Sequence, residues 1–565
     1  MSKTLPPKRS LIFAIGLICI TGIILGRLIK IQLIDHQYYE KKANKQLTRI
    51  ISKTPNRGHI FTQNQRPLAI MQESYSLFAI PKQVSATPNE IKELSNILKI
   101  SSQNIITKLQ RKSHFVWIKR HNDKKTYEKI KAMKLKGLSI IKENRRYYPE
   151  QNLASHVLGI CGIDNQGLSG IEYIANKTLS GNPGKIILER DPKGHALTTG
   201  QKQIKATNHG ENITLTIDEY TQHISEKFLK QGIDTFQAKR GYAVILDSQS
   251  AAILAMASLP NFNPNQWQTS SENVFINPCI NHVFEPGSVL KCITIAMALE
   301  EKLVSKNDIL FVPRELPVFS HRIRESHPAK ADEPYEKSIT DILKYSSNVG
   351  TALIAQKGDK DLLYGYLKKF GFGNKSHCGL PGESAGLLRA PKNWSGVDLE
   401  THAFGQGLAV NALQLTAAMN VFANKGHYKK PFIIKEISNH NQTSRIQNMG
   451  YENKKLLSKE TISAINPMLK AVVESGTAWP VKLKNYYIAG KTGTAQKAKE
   501  NGRGYQTGNY IASFVGFFPY NNPKITMAIV LDSPQKNYYG GHSAGKIFKN
   551  IAEALALHYH YPPDY

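Results

Sequence analysis

The chain has 565 residues, enough for roughly two to four domains with ample core-forming sequence, and 41% apolar with 21% charged residues is ordinary globular composition. Its five cysteines are scattered, without a Cys-x-x-Cys pair or a His/Cys spacing suited to zinc, which argues against a disulfide framework or a metal site; no cofactor is indicated. The formal net charge of +31 is dispersed and carries no zinc-finger or RNA-binding signature, which excludes nucleic acid as the expected partner and leaves anionic lipid, acidic wall polymers or a Lys-, Ile- and Asn-rich composition bias as its origin.

Residues 1–10 carry Lys3, Lys8 and Arg9. An apolar run follows from Leu11 to Gly26, and Leu28, Ile29, Ile31 and Leu33 extend it past Arg27 and Lys30. With cationic ends able to snorkel, residues 11–33 are expected to span a membrane. Leading positive charge then places residues 1–10 in the cytoplasm and the rest outside it. No small-x-small cleavage site follows the apolar core, so an uncleaved anchor is preferred to a signal peptide. Residues 34–55, polar and Lys-rich, read as a helical stalk.

Residues 56–209 mix strand and helix signals: Tyr75–Ile80 and Phe115–Ile118 as strands, and Pro88–Leu98 as a capped amphipathic helix. Glycines from Gly159 to Gly184 punctuate a turn-rich stretch, and no catalytic constellation emerges. This half reads as an elongated spacer or docking module. A second domain, residues 210–560, opens with strand Ile213–Ile217 and helix Tyr220–Thr235. Gly241–Asp247 and Ala252–Ala257 then form a hairpin. Later strands are predicted at Tyr486–Ala489, Ala512–Phe518 and Ile525–Leu531, with a last helix from Ser543 to about His558. Helices before and after a strand cluster, with a buried helix between, predict an α+β antiparallel sheet covered on its faces.

The chemistry centres on Glu285-Pro-Gly-Ser-Val-Leu-Lys291. A Pro-Gly pair turns the chain, and Ser288 opens an apolar segment, Val289 to Leu299, with the flanks of a buried helix. Ser288 and Lys291 would lie on one helix face, and apolar surroundings would keep the amine's pKa down. That is the pattern of an activated hydroxyl nucleophile. The bare Ser-x-x-Lys pattern recurs, as at Ser533-Pro-Gln-Lys536, but that copy lies in a polar run that cannot open a buried helix.

Two further motifs follow it. Ser346-Ser347-Asn348 supplies Asn348, which can hold an amide by donor and acceptor, and Ser346, which can pass a proton between an amine and a nitrogen. Lys491-Thr492-Gly493 is unique in the chain and runs on to Thr494-Ala495. Lys491 with the Thr492 and Thr494 hydroxyls can hold a carboxylate, and Gly493 lets an extended peptide lie against the strand edge. The backbone N–H groups of Ser288 and Thr494 would form an oxyanion hole.

A Ser-x-x-Lys, Ser-x-Asn and Lys-Thr-Gly set in this order resembles β-lactamases and penicillin-binding proteins. Over nearly its whole length the chain resembles a class B penicillin-binding protein, a membrane-anchored peptidoglycan D,D-transpeptidase. In the first half the resemblance rests on Arg57-Gly-His-Ile60, Arg145-Arg-Tyr-Tyr-Pro149, His156-Val-Leu-Gly159 and Gly167-Leu-Ser-Gly-Ile-Glu172. In the second it rests on Leu380-Pro-Gly-Glu383, Gly405-Gln-Gly407 and Ala489-Gly-Lys-Thr-Gly-Thr-Ala495. Glu285-Pro-Gly-Ser288 and Ser346-Ser-Asn-Val-Gly350 resemble the cell-division (FtsI) type rather than the elongation type. Phe61-Thr-Gln-Asn64 departs from the family's usual Asp-Arg-Asn-Gly, and Asn277-Pro-Cys279 with Asn281-His282 departs from its usual Asn-Arg-Ala run.

The resemblance implies a pedestal-like N-terminal module at 56–209 and a transpeptidase domain at 210–560. It implies catalysis by Ser288, Lys291, Ser346, Asn348 and Lys491, with substrate held by Thr492, Gly493 and Thr494. Peptidoglycan stem peptides and β-lactams are the implied ligands, and a polytopic membrane glycosyltransferase and other division proteins the implied partners. Ser288 would attack between two D-alanines, and an amine of a neighbouring stem would then take the acyl group. Either Lys291 or the Ser346–Lys491 pair could handle each proton. An elongation-type enzyme, a D,D-carboxypeptidase, a β-lactamase-like hydrolase and a catalytically silent division scaffold are the competing readings. No unambiguous deacylating Glu is present for the hydrolase, and the intact motifs argue against the scaffold.

Overall fold

A computed structural model describes residues 7–190, 196–325, 335–439, 444–446, 453–499 and 504–565. The chain divides into two compact units, one drawn from residues 1–56 and 181–210 and the other from 57–180 and 211–565.

In the first unit, helix Pro7–Ile29 continues through a π-turn at Lys30–Ile34, and its side chains are exposed almost throughout. Among the described residues, Lys8–Ile34 is long and apolar enough to cross a membrane. The expected stalk is helical only over His36–Leu47. Thr48–Lys53 is instead a strand, antiparallel to Gly184–Arg190, which in turn pairs with Ala196–Lys205. Thr48, Ile50 and Ile51 are β-branched, which favours the strand conformation that pairing with Gly184–Arg190 completes.

The second unit begins with a three-stranded head. Strand Pro67–Ala79 pairs antiparallel with Val116–Asn122 and with Leu138–Tyr147. Helix Pro88–Leu98 falls where its periodicity predicts, closed by a Thr87–Glu90 capping box. Leu94, Leu98, Ile105 and Ile130 from the head's three helices pack with Leu77, Ala79 and Ile118 of the sheet into a small separate core. The strands run longer than the predicted Tyr75–Ile80 and Phe115–Ile118, because pairing continues through polar residues.

Below the head, the resemblance motifs of the first half meet at Glu172. Its carboxylate accepts from Arg57 Nε at 2.7 Å and from Arg146 Nε at 2.5 Å, and all three side chains are buried. The same sheet that holds the head strands also takes Ile60–Phe61, Asn212–Leu215 and Ile434–Ser438, so segments far apart in sequence share one ladder. The departure at Phe61-Thr-Gln-Asn64 is locally satisfied. Gln63 Nε2 and Asn64 Nδ2 donate to Asp218 Oδ2 at 3.1 and 2.8 Å, and Asp218 caps the helix Glu219–Phe236 through Thr221 N.

The rest of the unit is built on a five-stranded antiparallel sheet. Its order is Ile253–Leu259, Arg240–Asp247, Ile525–Asp532, Tyr505–Phe518, Ala489–Ala498. Helices Glu219–Phe236 and Ala544–His558 pack together on one face, and the wholly buried helix Ala412–Ala423 packs on the other. Every residue of Ile525–Asp532 is therefore buried, which explains the unbroken apolar stretch Met527–Leu531 where a one-sided strand would alternate. The α+β expectation holds.

Two local expectations are corrected. The helix after the Pro-Gly turn opens as a 3-10 turn, Gly287–Leu290, and becomes α-helical only at Lys291, running to Glu300. The Lys-Thr-Gly motif does not follow a strand at Tyr486–Ala489. It lies within the edge strand Ala489–Ala498, where pairing with Tyr505–Phe518 overrides the weak strand propensity of Gly and Ala.

Candidate active site

The turn that carries Ser288 is fixed from both sides. Gly287 sits at φ +55°, a conformation that a side chain resists, and its N–H donates to Gly405 O at 3.0 Å. Glu285 Oε1 accepts from Gly407 N at 2.9 Å, and Oε2 accepts from Tyr505 OH at 3.1 Å. Burial raises the Glu285 pKa and these two hydrogen bonds oppose it. In the 3-10 turn residues three apart eclipse, so Ser288, half-buried, and Lys291, fully buried, share one edge.

Lys291 Nζ reaches Ser346 O at 2.6 Å, Ser346 Oγ at 3.1 Å and Asn348 Oδ1 at 2.7 Å. The structure thus brings the first and second motifs together through the lysine, while the Ser288 hydroxyl is not among the amine's three partners. Burial drives the Lys291 pKa well below the ordinary lysine value, and the Lys491 charge acts in the same direction.

Ser346 lies on the short connection between helices Ile339–Lys344 and Asn348–Gln356, at φ +61°, a left-handed conformation that costs a non-glycine residue energy. That backbone turns its hydroxyl between two amines, for Lys491 Nζ also donates to Ser346 Oγ, at 3.0 Å. Lys491 is fully buried, and burial pulls its pKa down to about 8. Its Nζ lies 3.3 Å from Thr492 Oγ1, which is 3.1 Å from Thr477 Oγ1. The hydroxyls flanking Lys491 are therefore Ser346, Thr492 and, through it, Thr477.

Gly493 is buried. A Cβ there would stand 2.3 Å from Ser513 Oγ, 2.9 Å from Pro286 O and 3.0 Å from Val289 Cγ2, so the missing side chain makes room for both the neighbouring strand and the turn that carries Ser288. Thr494 lies one residue further, in register with Ala512, and its Oγ1 accepts from Gly540 N at 3.1 Å. Four features escape sequence reading: Glu285 as a clamp, the Gly405–Gly407 loop as its counterpart, Thr477 beside the third motif, and Glu325. Glu325 Oε2 accepts from Asn348 N at 2.7 Å, and its carboxylate also accepts from Ser347 Oγ. Glu285 and the loop left a signal only as parts of the Glu285-Pro-Gly-Ser288 and Gly-Gln-Gly patterns, and the two glycines, at φ +88° and +80°, mark a forced turn. The others are single polar residues with no spacing signature.

The arrangement comprises a half-exposed hydroxyl on a constrained turn and a buried amine of depressed basicity one turn on. A bridging hydroxyl links that amine to a second buried amine on a strand edge. Such a set can carry out acyl transfer through a covalent intermediate.

Comparison with known proteins agrees. Residues 241–553 match the penicillin binding protein transpeptidase domain, and residues 52–215 match the penicillin-binding protein dimerisation domain. The chain is 29% identical over 534 residues to a probable peptidoglycan D,D-transpeptidase, PenA, of Neisseria meningitidis, covering 94% of this chain and 89% of that one. It is 32% identical over 553 residues to the peptidoglycan D,D-transpeptidase FtsI of Buchnera aphidicola, covering 95% and 93%. A crystal structure of penicillin binding protein 3 from Mycobacterium tuberculosis, complexed with aztreonam, superimposes with a TM-score of 0.73 at 26% identity, covering 91% of this chain and 98% of that one. The chain belongs to the penicillin-binding protein transpeptidase family. It is an enzyme of the peptidoglycan D,D-transpeptidase class, and FtsI-type relatives match it over nearly its full length.

Proposed function

We propose that this chain cross-links peptidoglycan stem peptides through an acyl-enzyme on Ser288, at the division septum, and that β-lactams inactivate it by acylating the same hydroxyl. The observation carrying this reading is Ser346 Oγ held 3.1 Å from Lys291 Nζ and 3.0 Å from Lys491 Nζ, with both lysines buried. If Lys491 keeps its proton and Lys291 is neutral, the hydroxyl accepts from Lys491 and donates to the Lys291 lone pair. The remaining Lys291 hydrogens then go to Ser346 O and Asn348 Oδ1.

The steps follow from that polarity. The stem peptide binds along the Ala489–Ala498 edge strand, with its terminal carboxylate on Lys491 and the Thr492 and Thr494 hydroxyls. Lys291, a base because it is buried, rotates its lone pair to Ser288 and takes the Oγ proton. Oγ bonds the carbonyl carbon between the two D-alanines, and the oxyanion rests on the Ser288 and Thr494 N–H groups. The C–N bond then breaks, and the Lys291 proton passes through Ser346 to the departing D-alanine amine. In the second half the acceptor amine gives a proton to the same relay and bonds the carbonyl carbon, and Ser288 leaves as the hydroxyl.

The septal role is supported by the relatives named FtsI and by the Glu285-Pro-Gly-Ser288 and Ser346-Ser-Asn-Val-Gly350 patterns. The apolar helix Lys8–Ile34 suits an anchor with residues 1–10 in the cytoplasm and the catalytic domain outside it. On this reading residues 56–209 form the docking module for a polytopic glycosyltransferase and other division proteins, and residues 210–560 the catalytic domain. The test is intact-protein mass after incubation with benzylpenicillin. The expected result is one stable adduct, mapping to Ser288 and absent in Ser288→Ala. An adduct that clears within seconds would replace this reading with a hydrolase, and no adduct with a scaffold.

A further inference from the structure

The hairpin of Glu315–Val318 and His321–Arg324 has no part in the three motifs, yet its last residues reach the second one. Arg322 and Arg324 both pair with Glu315 across the hairpin, at 3.0 and 2.7 Å. The next residue, Glu325, receives Asn348 N–H at 2.7 Å and the Ser347 hydroxyl. Ser347 Oγ in turn accepts from Gly350 N at 2.9 Å, closing the first turn of helix Asn348–Gln356. A carboxylate at a helix N-terminus satisfies an N–H that the helix leaves open and opposes its positive end.

The consequence falls on the Asn348 side chain. A carboxamide can face either way, and its two ends differ only in donating or accepting. Here Asn348 Nδ2 donates to Arg324 O at 3.0 Å, a partner that can only accept, so Oδ1 is left to receive Lys291 Nζ at 2.7 Å. We propose that Glu325 is a positioning residue for acylation, holding the start of the Asn348 helix so that Asn348 Oδ1 and the Ser346 hydroxyl stay on Lys291. The proposal rests on the acyl-enzyme reading above and extends it to a residue outside the three motifs.

Glu325 also bears on the amine electrostatically. The charged and titratable groups facing Lys291 are Lys491, Glu325 and the Cys292 thiol. Burial and Lys491 push the proton off Lys291, while Glu325 and Cys292 pull the other way. Removing the carboxylate therefore lowers the basicity of Lys291 further, and the acid limb of the acylation rate moves to lower pH. A residue that merely supported the fold would leave that limb in place.

The experiment measures the second-order rate of acylation by benzylpenicillin from pH 5 to 9 for the full chain and for Glu325→Gln, Glu325→Ala and Glu325→Asp. We expect Glu325→Gln and Glu325→Ala to acylate at least tenfold more slowly at pH 7.5, Glu325→Asp to recover part of the loss, and the acid limb of Glu325→Gln to lie at lower pH. Should the alanine variant fail to fold, the isosteric glutamine variant still gives the reading. Rates within twofold of the parent in both variants would overturn the proposal. So would a rate loss with the acid limb unmoved and Glu325→Asp no better than Glu325→Ala. Failure of the parent to acylate at Ser288 would instead overturn the acyl-enzyme reading.

Discussion

Lys491 donates to the Ser346 hydroxyl across 3.0 Å although 145 residues separate the two in sequence. This contact joins the second and third motifs, and with Lys291 on the other side it makes Ser346 Oγ the only hydroxyl shared by the two buried amines among the described residues. Ser346→Ala keeps the volume nearly unchanged and removes the bridge. Acylation by benzylpenicillin is expected to slow by roughly 10²–10⁴-fold, the ordinary worth of a positioned proton-transfer group. Thermal stability should shift little, because alanine relieves no packing. Time-resolved intact mass gives the rate, and an unchanged rate would remove Ser346 from the proton path.

The burial that pulls Lys491 down to about 8 sets a second expectation. Below that pH the amine is charged and can hold a carboxylate; above it the charge is lost. Acylation by a penicillin with a free carboxylate should therefore fall as pH rises through about 8. The same penicillin as its methyl ester should show no such limb, having no carboxylate to lose its partner. In Lys491→Arg, whose guanidinium stays charged, the limb should vanish even though the overall rate drops. Matching alkaline limbs for acid and ester would place the titration elsewhere.

The pedestal offers a stability test. Glu172 is the common acceptor of Arg57 and Arg146, and its side chain is fully buried. Glu172→Ala leaves two buried guanidinium groups without their counter-charge. Breaking a buried ion pair from one side costs about 3–5 kcal/mol. Arg57 keeps bonds to Asn176 Oδ1 and Ser180 Oγ, at 2.7 and 2.9 Å, so the cost should sit near the lower end. Urea unfolding of a form lacking the apolar helix reads it directly. A loss below about 1 kcal/mol would mean that water reaches the site in the variant.

Sequence carried the three motifs because each is a short run with a local signature. Pro286-Gly287 announces a turn, Val289–Leu299 announces burial, and Gly493 between hydroxyl residues announces close approach. It carried the capped amphipathic helix Pro88–Leu98 for the same reason, and the structure adds the Thr87–Glu90 box that caps it. What it could not carry depends on partners distant in the chain. Thr48–Lys53 is a strand only because Gly184–Arg190 lies beside it, and Ala489–Ala498 is extended through its Lys-Thr-Gly only because Tyr505–Phe518 pairs with it. Glu325 was invisible because a lone glutamate near the end of a weak hairpin has no pattern, and its meaning appears only with Ser347 and Asn348 in place.

The last prediction concerns His156, from one of the first-half motifs. Its Nδ1 lies 2.9 Å from Ser258 Oγ, and the ring meets Phe262 edge-on at 5.3 Å between centroids. Burial lowers its pKa to about 4, from the 6.5 expected of an exposed imidazole, so the folded chain holds it neutral. Between those values the unfolded chain binds the proton and the folded chain does not. The contribution to stability is therefore complete above pH 6.5 and is lost as pH falls to about 4. Other groups also bind protons as the pH falls, among them Glu285, whose pKa burial raises, so the useful quantity is the difference between the parent chain and His156→Gln. That difference should favour the parent at pH 7.5 and shrink steadily to pH 4.5, measured by urea midpoints at each pH. A difference that stays constant with pH would show that the histidine acts by shape and hydrogen bonding alone, with no proton linked to folding at this site.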